Sequence, residues 1–262
     1  MKNLFGYVGR SFITFLQDLS SMFSLFRETI IQSYVLLRDP KKRRRAGILL
    51  SVDTIGSQSL PLVLLVSSLI GIILTVLSAA NLDDLGMLNY IPGFVMVTIL
   101  RFTAPMMTGI LVAGRIGAAF TARIGTMKAS EEILALEVMA INPVRYLVVQ
   151  RFIGILISLP ALTVLASFSA IFCSMLYGAG RLGIGPNIFV REMVDVLTAT
   201  DVLSGIVKSL AYAVVIAMIG CYRGLVVEGS AESVGRATMM TVIWSMLSII
   251  VLDTVLTTAF YG

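Results

Sequence analysis

Long uncharged stretches alternate with short charged segments along most of this chain. A helix needs about 20 mostly apolar residues to cross a bilayer, and residues 54–82 and 152–180 each exceed that length without one charge. The other apolar stretches reach this length if a single charged residue is tolerated inside. The pattern predicts five membrane-spanning helices, at about 55–80, 91–115, 152–178, 202–222 and 237–260.

The composition supports the same class of protein. The chain is 57% hydrophobic and 13% charged, with a mean hydropathy of +0.94, whereas soluble domains carry charge on about a quarter of their residues. We therefore predict an all-α integral membrane protein with about five spanning helices. The net charge of +5 fits membrane topology better than a nucleic-acid surface, so we expect no nucleic-acid partner.

The first 47 residues form a region of their own. Apolar side chains there recur at helical spacing, and the basic run 41–45 follows just before the first span. We predict an N-terminal interfacial amphipathic helix with a basic juxtamembrane segment in 1–47, and a transmembrane domain in 48–262. A helix packed on a soluble partner is the alternative. The apolar face comprises Phe12, Phe15, Leu16, Leu19, Met22, Phe23, Phe26 and Ile30.

The distribution of Lys and Arg predicts the orientation in the membrane. The segment before the first span holds nine of them, and the 81–90 loop holds none. Residues 115–151 hold five more. Because loops on the cytoplasmic side carry the excess of basic residues, the N-terminus is predicted to be cytoplasmic and the C-terminus outside.

Three charged residues fall inside the predicted spans. Arg101, Lys208 and Asp253 lie roughly 15, 10 and 10 Å below the outer boundary, at about 1.5 Å of rise per residue. A charge in hydrocarbon is costly and indicates function. Lys208 and Asp253 match in depth, so we predict that they pair and that Arg101 faces a lipid cavity without a protein partner. In the alternative, the three charges have only a structural role: two of them form an internal ion pair, and the arginine side chain extends toward the membrane surface without lining a cavity.

A short segment of mixed character joins the second and third spans. Residues 130–141 are too short to cross a membrane and combine acidic with apolar side chains. Glu131 and Glu132 fall in the predicted first turn, where the helix dipole favours anions, and Ser130 is the predicted N-cap. We predict a cytoplasmic coupling helix that a partner pushes; an amphipathic linker lying flat on the membrane is the alternative.

No pattern in the sequence indicates a catalytic or metal site. The chain has no histidine, which removes the usual general base and the commonest metal ligand. Cys173 and Cys221 lie in different spans without a ligand-like spacing, which is typical of packing residues. We expect no catalytic residue, no metal and no directly bound cofactor. An ion-coupled secondary transporter that uses Lys208 and Asp253 is the alternative to a transporter driven by a partner.

Two long composite motifs resemble the MlaE/YrbE permease family. The first reads LVAGRIGAA, GTMK and ALEVM, and the second reads GCYRGL followed by VGRAT. The resemblance covers about residues 50–260. The chain departs from the family at Phe102, where the family usually has an intramembrane Glu. The motif segments are 111–119, 125–128, 135–139, 220–225 and 234–238.

The resemblance implies the permease subunit of an ABC transporter that moves lipids, expected to be phospholipids, in the inner membrane. It implies a homodimer, a separate cytoplasmic ATPase that hydrolyses ATP, and a ring of MCE-domain proteins on the outer side. From the charges inside the spans, we expect the substrate cavity to be lined by Arg101, Lys208 and Asp253, together with Phe102. The ATPase contact is expected to involve Glu131, Glu132, Leu136, Glu137 and Arg145.

Overall fold

The computed structural model describes residues 20–36, 45–82 and 86–262. Within these ranges the chain is helical and contains no strand. A short 3-10 turn, Leu88–Tyr90, precedes the third helix. The helices are α1 (20–36), α2 (Arg45–Leu82), α3 (Ile91–Ala129), α4 (Glu132–Val138), α5 (Val144–Arg181), α6 (Pro186–Val196), α7 (Ala199–Val226) and α8 (Ala231–Tyr261).

Helices α2, α3, α5, α7 and α8 are each long and apolar enough to cross a membrane. The prediction of an all-α chain with five spanning helices is therefore confirmed. Successive spans run in opposite directions, so α4 connects α3 to α5 at one end of the bundle, here called the α4 end. Helix α6 connects α5 to α7 at the opposite end, here called the α6 end.

Helix α3 extends further than its hydrophobicity predicted. The apolar stretch was expected to end at Arg115, but the helix continues to Ala129. Ile116, Phe120 and Ile124 are buried, and their packing stabilises the added turns against the bundle. The side chain of Arg115 donates to the backbone carbonyl of Gln58, so this charge is accommodated without ending the helix.

Two π turns interrupt α3, at Ile99–Thr103 and Ala113–Gly117. The first lies just before Pro105. Because proline has no backbone N–H, the carbonyl of Arg101, four residues earlier, loses its usual helical partner. This freed carbonyl becomes an acceptor in the polar cluster described below.

Helix α2 packs closely along α5. The hydroxyls of Ser68 and Ser169 lie 2.6 Å apart, and a second hydroxyl pair lies one to two turns further along. Between these pairs, a Cβ added at Gly71 would lie 2.1 Å from the carbonyl oxygen of Ala170. Small residues at such a contact let two membrane helices approach backbone to backbone.

Replacing Gly71 with alanine is therefore expected to destabilise the folded chain by about 1–3 kcal/mol, because overpacking forces the two helices apart. Gly180 provides the control, since a Cβ there would have nothing within 4 Å. Thermal unfolding in detergent should show a lower midpoint for Gly71→Ala and little change for Gly180→Ala. Equal midpoints for the two variants would contradict the close packing.

Helix α1 packs against the bundle through part of its predicted apolar stripe. Leu25 and Thr29 are buried, and the rings of Phe26 and Phe152 form an edge-to-face pair with centroids 6.4 Å apart. Phe23, one turn before Phe26, is 69% exposed. The apolar stripe is thus divided between the bundle and the surface. The predicted stripe residues Phe12, Phe15, Leu16 and Leu19 lie outside the described residues.

The segment 179–201, between the third and fourth predicted spans, contains helix α6 although the apolar pattern predicted no helix there. Helix α5 runs to Arg181, the chain turns at Gly183 with a φ of +68°, and α6 begins at Pro186. Phe189 is 1% exposed and lies so close to Gly178 that a Cβ there would be 3.2 Å from its ring. One buried aromatic side chain therefore anchors α6 on the bundle.

Candidate functional site

A polar cluster lies where α3, α7 and α8 meet, in the half of the bundle nearest the α6 end. Lys208 of α7 is fully buried, and its Nζ lies 2.8 Å from Oδ1 of Asp253 on α8. The hydroxyl of Tyr212 donates to the same Oδ1 at 2.5 Å. The predicted pairing of Lys208 with Asp253 is confirmed.

The ammonium of Lys208 has an acceptor for each of its three donors. Besides Asp253, it donates to the backbone carbonyl of Arg101 and to Oγ1 of Thr257, both at 2.8 Å. The Arg101 carbonyl is the one that Pro105 leaves without a helical partner. A buried charge is tolerated when it is paired and fully hydrogen-bonded. The π turn in α3 therefore supplies an acceptor to the buried ammonium, and the ammonium supplies a donor to the carbonyl that lacks a helical partner.

The side chain of Arg101 has a protein partner, contrary to the prediction. Its Nε donates to Oδ1 of Asp201 at 2.6 Å, and its guanidinium carbon lies 4.4 Å from the ring centroid of Tyr261. The Tyr261 hydroxyl lies 3.2 Å from Asp201 Oδ1 and 2.7 Å from Ser204 Oγ. The first turn of α7 therefore supplies the anion that the sequence analysis did not assign to the cluster.

Asp201 was assigned to a loop because α7 was expected to begin at residue 202. Helix α7 begins instead at Ala199, and Asp201 belongs to its N-terminal capping box. Its Oδ2 accepts from the backbone N–H and the hydroxyl of Thr198, at 3.1 and 2.6 Å. The spacing Thr198-x-x-Asp201 is a capping-box signal that could have placed the acidic residue on the helix.

The cluster balances its charges, with two cations and two anions. Lys208 and Asp201 are fully buried and the Asp253 side chain is 5% exposed, whereas the Arg101 side chain is 36% exposed. Phe102, the fourth residue predicted to line a substrate cavity, is 45% exposed beside Arg101. Arg101 is thus the charged group of the cluster that an external ligand can reach.

Replacing Asp201 with alanine is expected to cost about 1–3 kcal/mol, since the change removes a helix cap and leaves the partners of a buried acceptor unsatisfied. The loss should stay moderate because Arg101 can turn to water. Denaturant unfolding measures the effect. Thr198→Ser keeps the capping hydroxyl and is the control; an Asp201→Ala variant as stable as that control would contradict the role assigned to the carboxylate.

The predicted coupling segment forms the short helix α4. Ser130 is not its N-cap: Ser130 is the C-cap of α3, and its hydroxyl donates to the carbonyl of Thr126 at 2.9 Å. Glu131 follows in the left-handed region, with φ of 59°, and Glu132 begins α4. The reason is that α3 continues to Ala129, which leaves only a tight two-residue corner between the helices.

Helix α4 is anchored on one side and exposed on the other. Ile133 is buried and Leu136 is half-buried against the hydrophobic core. Val138 is 81% exposed and Met139 is 60% exposed. The three acidic side chains of the segment, on Glu131, Glu132 and Glu137, are exposed.

The α4 end connects to several elements through polar contacts. The side chain of Lys128 donates to the carbonyl of Leu225 at the end of α7, and the side-chain amide of Asn142 donates to Glu28 of α1 at 3.0 Å. Arg145 is half-buried, and its Nε has no hydrogen-bond partner among the described residues. The segments on either side of α4 are therefore hydrogen-bonded to α7 and α1.

Comparison with known proteins gives consistent similarities. A family profile described as Permease MlaE matches residues 48–259. A probable ABC transporter permease protein of Synechocystis is 33% identical over 207 residues, which are 79% of each chain. The intermembrane phospholipid transport system permease protein of Haemophilus influenzae is 31% identical over 229 residues, covering 87% of this chain and 88% of that protein.

A plant protein is similar over most of its length as well. The chloroplastic protein trigalactosyldiacylglycerol 1 of Arabidopsis thaliana is 32% identical over 233 residues. The match covers 88% of this chain and 67% of the plant protein.

Proposed function

This chain belongs to the MlaE permease family, and we propose that it is the membrane subunit of an ABC transporter that moves phospholipids. Two copies would form the membrane part, and a separate cytoplasmic ATPase would supply the energy. A ring of MCE-domain proteins would receive or deliver the lipid on the outer side. The chain would lie in the inner membrane with its N-terminus in the cytoplasm and its C-terminus outside.

The observation that carries the proposal is the exposed surface of α4. The helix of seven residues held between two spans presents Leu134 and Val138 to the surroundings, as does Met139 just after it, and each is more than half exposed. Apolar side chains rimmed by charge are typical of a protein contact. The acidic side chains of Glu131, Glu132 and Glu137 and the half-buried side chain of Arg145 would form the polar part of the ATPase contact, and Leu136 would support it from behind.

The polar cluster supports a lipid headgroup as the ligand. Arg101 lies within a membrane-spanning helix, yet its side chain is 36% exposed. A planar guanidinium binds phosphate through two parallel hydrogen bonds. In the proposed cavity Arg101 would contact the phosphate, Phe102 would contact the acyl region, and the buried pair Lys208–Asp253 would hold α7 and α8 in place.

Isolation of the chain from its native membrane tests the proposal. An affinity-tagged copy should co-purify with an ABC ATPase and an MCE-domain protein, and it should retain phospholipid. Purification of the chain with none of these proteins, under conditions that preserve other membrane complexes, would contradict the proposal.

A further inference from the structure

An apolar cavity lies between α1, α7 and α8, away from the polar cluster. Its volume is about 680 Å³, within the range of about 300–1,000 Å³ that is usual for small-molecule sites. Among the described residues that line it, Ser248 carries the one hydroxyl; the others are apolar and include Phe26, Val215, Trp244 and Val251.

The position of the cavity indicates what fills it. Its α7 and α8 walls come from the central parts of two membrane-length helices. Its rim carries Phe23, Leu247 and Val251, which are 69%, 51% and 64% exposed. The cavity therefore opens sideways, toward the hydrocarbon of a bilayer rather than toward water.

We propose that this cavity is an accessory site for one acyl chain of a bilayer lipid. An empty apolar space of this size would forfeit the dispersion contacts of all its walls. Water does not compensate, because a buried water needs two to four polar partners, and the lining offers a single hydroxyl. A flexible hydrocarbon chain supplies those contacts without a polar partner.

The site gives α1 a role that the sequence analysis did not assign. Helix α1 was predicted to be an interfacial amphipathic helix, and its residues Met22, Phe23 and Phe26 also form one wall of the cavity. A bound acyl chain would fasten α1 to α7 and α8. The proposal concerns a lipid that stays in place, and it holds whether or not the chain transports lipid.

The sequence contains a built-in probe of this site. Trp244 lines the cavity and is the single tryptophan of the chain. Phospholipids brominated on their acyl chains quench a tryptophan that they contact. When the purified full chain in detergent is titrated with such a lipid, Trp244 fluorescence should fall along a saturable curve that corresponds to one bound lipid.

Two variants fill the cavity while keeping the probe. Val215→Phe and Ser248→Phe each place a ring in the space, so the saturable phase should be lost in both. Leu69→Phe is the matched control, because Leu69 is 53% exposed on α2 and lies outside the cavity. That variant should be quenched like the unmodified chain. Size-exclusion profiles and helical circular dichroism verify that each variant is folded.

Two results would overturn the proposal. Quenching that rises in proportion to the brominated lipid, equally in all four proteins, would show contact with bulk lipid only. Quenching that appears only after dilution to single chains would show that a second copy of this chain covers the cavity.

Discussion

Replacing Asp253 with leucine is expected to destabilise the folded chain by about 3–5 kcal/mol, because removal of one partner leaves a buried charge uncompensated. The Lys208 side chain is 0% exposed and lies 2.8 Å from the carboxylate that the substitution removes. The buried Lys208 ammonium cannot reorient into solvent, whereas the partly exposed Arg101 guanidinium can. Chemical unfolding in detergent should therefore show a larger loss than for Asp201→Ala.

A surface ion pair provides the matched control. Asp195 lies 3.9 Å from Arg191 on α6, and both side chains are more than half exposed. Exposed pairs contribute about 0–1 kcal/mol, so Asp195→Ala should change stability little. If Asp253→Leu were no more destabilising than Asp195→Ala, the pair would not be buried as the structure shows.

The double variant Lys208→Met/Asp253→Leu should recover part of the loss, because an apolar pair leaves no buried charge behind. Exchange of the two charges should not restore stability. An acidic side chain at position 208 would face the carbonyl of Arg101, which now accepts a hydrogen bond from Lys208.

Replacing Val138 with glutamate is expected to weaken the association with the proposed ATPase by about tenfold or more, or about 1.4 kcal/mol of binding energy, because the substitution places a charge in an apolar contact. Val138 is 81% exposed, so the substitution should leave folding and membrane insertion intact. The ratio of ATPase to tagged permease after purification measures the effect.

Val194→Glu is the matched control for this experiment. Val194 is also an exposed valine on a short helix, but it lies on α6 at the opposite end of the bundle. It should keep the normal ratio of ATPase. Leu136→Arg is a less specific variant because Leu136 packs against the core of its own chain. Normal ATPase recovery with Val138→Glu would argue that α4 is not the contact.

The spans and one ion pair were predictable because each depends on simple quantities. The length of uncharged sequence defines a membrane helix, and the depth of a residue along its helix follows from a constant rise. Lys208 and Asp253 matched in depth, and the structure brings them together. No knowledge of the helix packing was needed for either inference.

The partner of Arg101 was missed because one helix boundary was placed three residues late. Asp201 carries a charge and therefore looked like a loop residue, although its spacing from Thr198 indicates a helix start. Hydropathy gives boundaries poorly where charged residues cap a membrane helix. Without Asp201, one cation of the cluster would lack an acidic partner. With Asp201, Arg101 and Lys208 each have one.

Other features depend on contacts between distant segments. The π turn before Pro105 becomes favourable because Lys208, about a hundred residues later in the chain, donates a hydrogen bond to the Arg101 carbonyl. The tight turn at Glu131 depends on the length of α3. Helix α3 continues to Ala129 because Phe120 and Ile124 pack in the hydrophobic core. Local sequence contains neither piece of information.

Reconstitution of the complex into liposomes tests the central claim most directly. The chain, the proposed ATPase and the proposed outer partner would be placed in donor vesicles that contain a fluorescent phospholipid. The account predicts that lipid moves between the vesicles and the outer partner only while ATP is hydrolysed, and that Val138→Glu strongly reduces this movement while Val194→Glu preserves it. Lipid movement that follows an ion gradient without ATP or the ATPase would contradict the account and favour a secondary transporter.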